Sequence, residues 1–256
     1  MRIISLVPSL TSTLIDLGVA DLVVGRTVYC PAVPGAAVVG GTKDPAADVI
    51  QDLRPDVVLA VKEENPRALV LELSAAGVSV QIYDPLSVGD AIELARDLGA
   101  LTGATRAGEE MAREIEVEAE RARESAAHRS AISTVYLVWR EPYMAAGPRT
   151  YIADLLRTCG LPDVLPKDED RYPTATLDDL LDLSAGLFLF ASEPFPFNSE
   201  HVDEFRAAAG FSAGAAPATL RCRGDLVGWY PGRTAAALRH LTELAQAVAR
   251  SRPDER

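Results

Sequence analysis

Short β-rich runs alternate with helical patterns along the first hundred residues, and this alternation constrains the fold more than any other feature. A strand at 3–7 precedes a helix over 10–17, and further strands follow near Val38 and Val39, at 57–61 and at 78–82. Spacing of this kind builds βαβ units, so a parallel sheet covered by helices is expected. Ser9 stands where the first helix should be capped, Leu10, Leu14 and Leu17 repeat at helical spacing, and Gly18 stands where the helix should stop.

From 104 to 129 no proline occurs, and Met111, Ile115, Ala119, Ala122 and Ala126 form one thin apolar stripe among many charges. Glu109 with Arg113, Glu118 with Arg121 and Glu120 with Arg123 are spaced for ion pairs along a helix. One solvated helix of nearly 40 Å is expected, long enough to cross a whole lobe. The pattern then restarts with Val135–Val138, a helix near 151–158, a strand near 187–191 and a last helix over 234–249. A faint repeat links the halves. Asp52, Leu53, 57–59 and Glu63 sit 130 positions before Asp182, Leu183, 187–189 and Glu193, and Gly18 sits 142 positions before Gly160. The expected fold is therefore α/β, with two Rossmann-like lobes, 1–103 and 130–256, joined by a backbone helix over 104–129 and enclosing a ligand cleft.

Charge and composition narrow the function. A net charge of −12 disfavours nucleic acid and anionic membrane surfaces, which recruit clustered Lys and Arg. No apolar run reaches the roughly 18 residues that membrane insertion requires. The N-terminus leads straight into a strand without a secretory pattern, and the three cysteines, Cys30, Cys159 and Cys222, suggest no disulfide framework. A cytoplasmic location is expected on these grounds, with export as the alternative if a signal segment precedes the sequence. The isolated histidines His128, His201 and His240 give no zinc spacing, and no Gly-rich nucleotide loop is present, so no cofactor is expected.

Ligands of open parallel sheets sit beyond the carboxyl ends of strands. Lys62, Glu63, Glu64 and Asn65 follow one strand, and Ser192, Glu193 and Phe195 follow its counterpart. Tyr29, Trp139 and the Trp229–Tyr230 pair are expected on the same rim, where aromatic faces pack a ligand and polar groups orient it. Lys43, Lys62, Arg140 and Arg233 are candidate anchors for ligand anions, as is the start of the first helix. Glu63 and Glu64 with Glu193 leave a second reading open, a cytosolic enzyme using cleft carboxylates. The Gly210–Gly214 run fits a hydrolase nucleophile elbow centred on Ser212, with Asp225 and His240 in order, but that motif needs a preceding strand and 201–209 reads as helix.

The opening Arg2–Thr11 stretch with Leu17 and Gly18, the Gly40–Pro45 run, residues 53–60 and residues 156–160 resemble the helical-backbone metal receptor family, solute-binding proteins of ABC transporters, with the cobalamin-binding branch the nearest likeness. The resemblance spans nearly the whole chain. It implies two α/β lobes bridged by one helix and a small-molecule metal chelate as ligand: a corrinoid, a ferric siderophore or haem. It places Val61 and Tyr172 at the family's cleft aromatics. It also implies an acidic residue near each lobe tip that docks on the arginines of an ABC permease. Asp178 occupies the second position, but Arg67 occupies the first, and this reversal of charge counts against permease coupling. The ligand-binding set taken forward is Tyr29, Lys62, Glu63, Trp139, Tyr172, Glu193, Trp229 and Tyr230.

Overall fold

A computed structural model describes residues 1–166, 170–211 and 216–251. The chain forms two compact units. The first comprises Met1–Pro85, Gly89–Glu114 and Trp229–Gly232, and the second Leu86–Val88, Ile115–Gly228 and the chain from Arg233 onward.

The first unit is built on a five-stranded sheet of β1 (Ile3–Ser5), β2 (Val23–Arg26), β3 (Ala37–Val38), β4 (Val57–Val61) and β5 (Val80–Tyr83), in the order β3-β2-β1-β4-β5. Every neighbouring pair is parallel. β4 is buried at all five positions, as expected of a central parallel strand covered on both faces. The crossovers are α1 (Pro8–Asp16), α2 (Ala47–Asp52) and α3 (Arg67–Ala75), followed by α4 (Val88–Thr102). Ile4, Leu6, Val39, Ile50, Val58, Ala60, Leu69 and Leu73 make an aliphatic core.

α1 corrects the expected cap. Val7 is the N-cap, without a side-chain hydrogen bond, and Pro8 opens the helix, placing Ser9 inside it. Proline suits the first helical turn because its φ is already helical and its missing N–H has no partner to lose there. Gly18 follows the helix at φ 77°, the left-handed conformation that ends a helix at little cost to glycine.

α5 (Thr105–Ala127) is the expected long helix, and the boundary between the units falls inside it. Ala112, Ile115, Ala119 and Ala122 are buried along one stripe. All three expected ion pairs form: Glu109–Arg113 at 3.6 Å, Glu118–Arg121 at 2.7 Å and Glu120–Arg123 at 3.4 Å.

In the second unit, β6 (Thr134–Trp139), β7 (Tyr143–Ala145), β8 (Thr174–Ala175), β9 (Leu187–Ala191) and β10 (Ala218–Cys222) stand in the order β10-β9-β6-β7-β8. β9 is parallel to both neighbours, but β7 and β8 are antiparallel, so this sheet is mixed rather than parallel throughout. Its helices are α6 (Tyr151–Thr158), α7 (Leu177–Asp182), α8 (Ser199–Ala209), α9 (Gly224–Gly228) and α10 (Thr234–Ser251). Thr150 caps α6 by accepting from the Ala153 N–H, and capping boxes open α7 and α8. The core is aromatic: Phe205 packs on Phe188 and Phe190, and Phe190 on Phe197.

The repeat is structural. α2 and β4 lie 130 positions before α7 and β9 at both ends of each element. Arg54 and Ser184, also 130 apart, both take positive φ after the shared helix, at 46° and 51°.

Candidate functional site

In the first sheet the chain turns opposite ways on leaving β1 and β4, and the crevice beyond such a switch point is where α/β sheets bind ligands. The loop after β4 is tied across it by Asn65, a buried residue. Its Oδ1 accepts the Val61 N–H at 2.9 Å, and its Nδ2 donates to the Leu6 carbonyl at 3.4 Å and the Thr42 carbonyl at 3.0 Å. This leaves Lys62 exposed, with Nζ 2.9 Å from Asp84 at the end of β5. The Gly40–Pro45 run gathers two further expected residues. Lys43 Nζ donates to the Glu63 carbonyl at 2.9 Å and lies 3.8 Å from the Glu64 carboxylate. Tyr29, 68% exposed, has its ring edge 3.5 Å from where a Cβ on Gly41 would lie. Tyr29, Lys62 and Glu63 are thus organised by one loop system at the carboxyl edge of the sheet.

Trp229 and Tyr230 follow α9, not a strand, and their segment joins the first unit, where the Gly232 N–H donates to Thr13 Oγ1 of α1 at 3.3 Å. Tyr230 is 9% exposed. Val61 is sealed inside β4, so the position that corresponds to a cleft aromatic presents no side-chain surface.

In the second sheet the switch point lies between β6 and β9. The Phe195 N–H donates to the Val138 carbonyl at 3.2 Å, fastening the loop after β9 to the end of β6. Trp139, 42% exposed, meets Phe195 edge-on at 5.7 Å, and Phe195 in turn meets Phe197 at 4.7 Å and His201 at 5.2 Å. Glu193 packs through its backbone against Gly224. A Cβ on Gly224 would lie 2.8 Å from both its N and its O, so only glycine allows this approach. Tyr172 is bracketed by backbone bonds to the end of β7, where the Ala145 N–H donates to the Pro173 carbonyl at 3.1 Å and the Gly147 N–H to the Arg171 carbonyl at 2.8 Å.

Tyr136, on β6, is the group sequence reading missed. Its phenol, fully buried, shares a hydrogen bond with Cys222, and burial, then Cys222, Glu193 and Tyr172, raise its pKa well above the usual value. Burial likewise pushes the Cys222 thiol up to about 12. Glu193 and Tyr172 therefore both lie near one buried phenol, whereas Trp139 joins the phenylalanine side of the unit. An apolar run such as 135–138 does not mark which side chain faces a polar partner, and Tyr136 and Cys222 are distant in sequence.

Arg140 is engaged by Glu204 at 2.7 Å and Glu141 at 3.4 Å. At the elbow-like motif, Ser212 lies outside the described residues, but α8 runs into Gly210, so a helix precedes the motif where an elbow needs a strand. Among the described residues no three His, Cys, Asp or Glu side chains converge as a metal set, and no helix is long and apolar enough to cross a membrane.

Two α/β units, each with polar and aromatic groups at the carboxyl edge of its sheet, define the class of two-unit solute-binding scaffolds. A family model described as "Periplasmic binding protein" matches residues 3–219, and the chain belongs to that family. The resemblance to the helical-backbone metal receptors is borne out at this level. No curated protein sequence matches the chain. Solved structures share the fold. The periplasmic vitamin B12 binding protein BtuF of Vibrio cholerae superposes with a TM-score of 0.83 at 18% identity, covering 96% of this chain and 97% of its own. The periplasmic heme-binding protein RhuT of Roseiflexus sp. RS-1 gives 0.80 at 21% identity, covering 97% and 98%. A periplasmic heme binding protein of Pseudomonas aeruginosa gives 0.82 at 18% identity, covering 98% and 94%.

Proposed function

We propose that this protein binds a metal-chelate solute, a corrinoid, haem or ferric siderophore, and that it acts by binding rather than catalysis. The observation that carries the reading is the uncovered aromatic surface at the carboxyl edges of the sheets: Tyr29 in one unit, and Trp139 resting on Phe195 in the other. Flat apolar faces flanked by fixed polar groups suit a macrocycle or a chelate shell. The fold is one on which proteins named for vitamin B12 and heme binding are built. Lys62, Glu63, Tyr172, Glu193, Trp229 and Tyr230 complete the proposed ligand set, and the protein itself needs no resident cofactor.

Coupling to an ABC permease is disfavoured in this reading because Arg67, exposed in the first turn of α3, brings positive charge where the resemblance implies an acid. A cytoplasmic location is part of the proposal, supported by three buried, unpaired cysteines. Cell fractionation tests it. Absorbance and calorimetric titration with cobalamin, cobinamide, haem and a ferric hydroxamate tests the ligand class. Saturable one-to-one binding of one of them is expected, weakened at least about tenfold by Trp139→Ala. No binding of any of the four overturns the reading.

A further inference from the structure

α5 and α10 meet at their carboxyl-terminal turns, where Gln246 Nε2 donates to Ser125 Oγ at 2.9 Å. Beside that bond the two helices line a cavity of about 600 Å³, to which none of the proposed ligand residues contributes. Three arginines and a histidine converge on it, Arg121, Arg129, Arg250 and His128, against one acid, Glu124. In a chain of net charge −12 this is a local reversal of sign.

The cations are poorly neutralised. Arg121 pairs with Glu118 at 2.7 Å, but Glu118 is shared with Arg239 at 3.3 Å. Among the described residues Arg250 and His128 have no hydrogen-bond or ion-pair partner. Arg129 donates to the carbonyls of Gly160, at 3.3 Å, and Cys159, and its Nε is buried without a partner. It thus carries a partly desolvated charge with only neutral acceptors. Desolvation is the main influence on its pKa and lowers it. Helix carboxyl termini do favour a nearby cation. That effect accounts for a basic residue at each helix end, but not for several of them crowded into one cavity, where like charges repel unless an anion lies among them.

We infer that the α5/α10 cavity is a binding site for a small multivalent oxyanion, of the phosphate or polycarboxylate class. Arginine suits either, because its planar fork pairs with two oxygens at once. The site lies wholly in the second unit and does not depend on the chelate-binding reading.

Calorimetric titration of the full chain with pyrophosphate in one arm and citrate in the other, in chloride buffers of matched ionic strength, tests the site. One-to-one saturable binding is expected in at least one arm, and the stronger arm identifies the oxyanion class. Arg250→Gln should weaken it about tenfold or more, and adding His128→Gln should weaken it further. Arg149→Gln, an exposed arginine outside the cavity, should leave it unchanged. All the substituted side chains are surface groups, so circular dichroism should report the native fold. Absence of binding in both arms overturns the inference. So does binding that Arg250→Gln and His128→Gln together leave intact, or that Arg149→Gln weakens equally.

Discussion

The two units share a plan and differ in what fills it. In both, a helix of six residues leads through a positive-φ residue into a fully buried central strand, α2 to β4 and α7 to β9. The strand is VVLAV in the first unit and LFLFA in the second. With aliphatic strands the first unit closes as an all-parallel sheet. The second adds two antiparallel strands beyond β6, and Tyr143 of the first of them packs edge-on against Phe205 at 5.8 Å. A repeated backbone thus tolerates exchanged side-chain chemistry, provided the neighbouring strands are rearranged to fit the larger rings.

The largest expected effect probes that exchange. Phe205→Ala removes contacts to Phe188, Phe190, Tyr143 and Phe211, and should cost about 3–5 kcal/mol in urea unfolding. Leu73→Ala, in the aliphatic core, should cost about 2–5 kcal/mol. A cost for Phe205→Ala below that of Leu73→Ala would break the distinction between the cores. The matched glycines come next. Gly18→Ala meets open space and should cost about 1–2 kcal/mol for its left-handed backbone alone. Gly160→Ala adds a 2.9 Å approach to Ala126 and Arg129, and should cost roughly 1–3 kcal/mol more. Equal costs would show that α5 yields freely there.

Helix starts differ more gently. Thr150→Ala should cost about 1 kcal/mol by uncapping α6, whereas its counterpart α1 has no side-chain cap to lose. The smallest effect separates α7 from α2. The Thr176 hydroxyl, then its backbone N–H, hold the Asp179 carboxyl below the usual range. A carboxyl with a depressed folded pKa stabilises above the ordinary value and loses that contribution as pH falls, here below about pH 4. The urea midpoint of the native chain should therefore drop between pH 5 and pH 3 by more than that of Asp179→Asn. α2 has Val49 at the matching position and no side-chain cap, so it has no counterpart to this capping carboxyl.

What the sequence disclosed follows from where each signal resides. β4 and β9 are written in consecutive residues because strands buried on both faces need unbroken apolar runs. α5 shows its stripe and its ion pairs for a similar reason. The start of α1 was obscured because Ser9 is a good cap in isolation, and only the geometry of Pro8 shifts the start upstream. β7 and β8 are three and two residues long, and their antiparallel pairing is decided by partners far along the chain. At the site, strand ends pointed to Lys62, Glu63, Trp139 and Glu193. The groups around them, Asp84 on Lys62, Asn65 in the loop after β4 and the buried Tyr136 near Glu193, are selected by tertiary placement.

The excursion of Trp229–Gly232 into the first unit bears on how this protein is made. A ribosome releases the β1–β5 sheet early, yet the last piece of that unit is synthesised only after nearly all of the second. The amino-terminal unit therefore cannot complete its fold until most of the second has been made, and a nascent chain arrested before Trp229 would expose the flank of α1 that the returning segment covers.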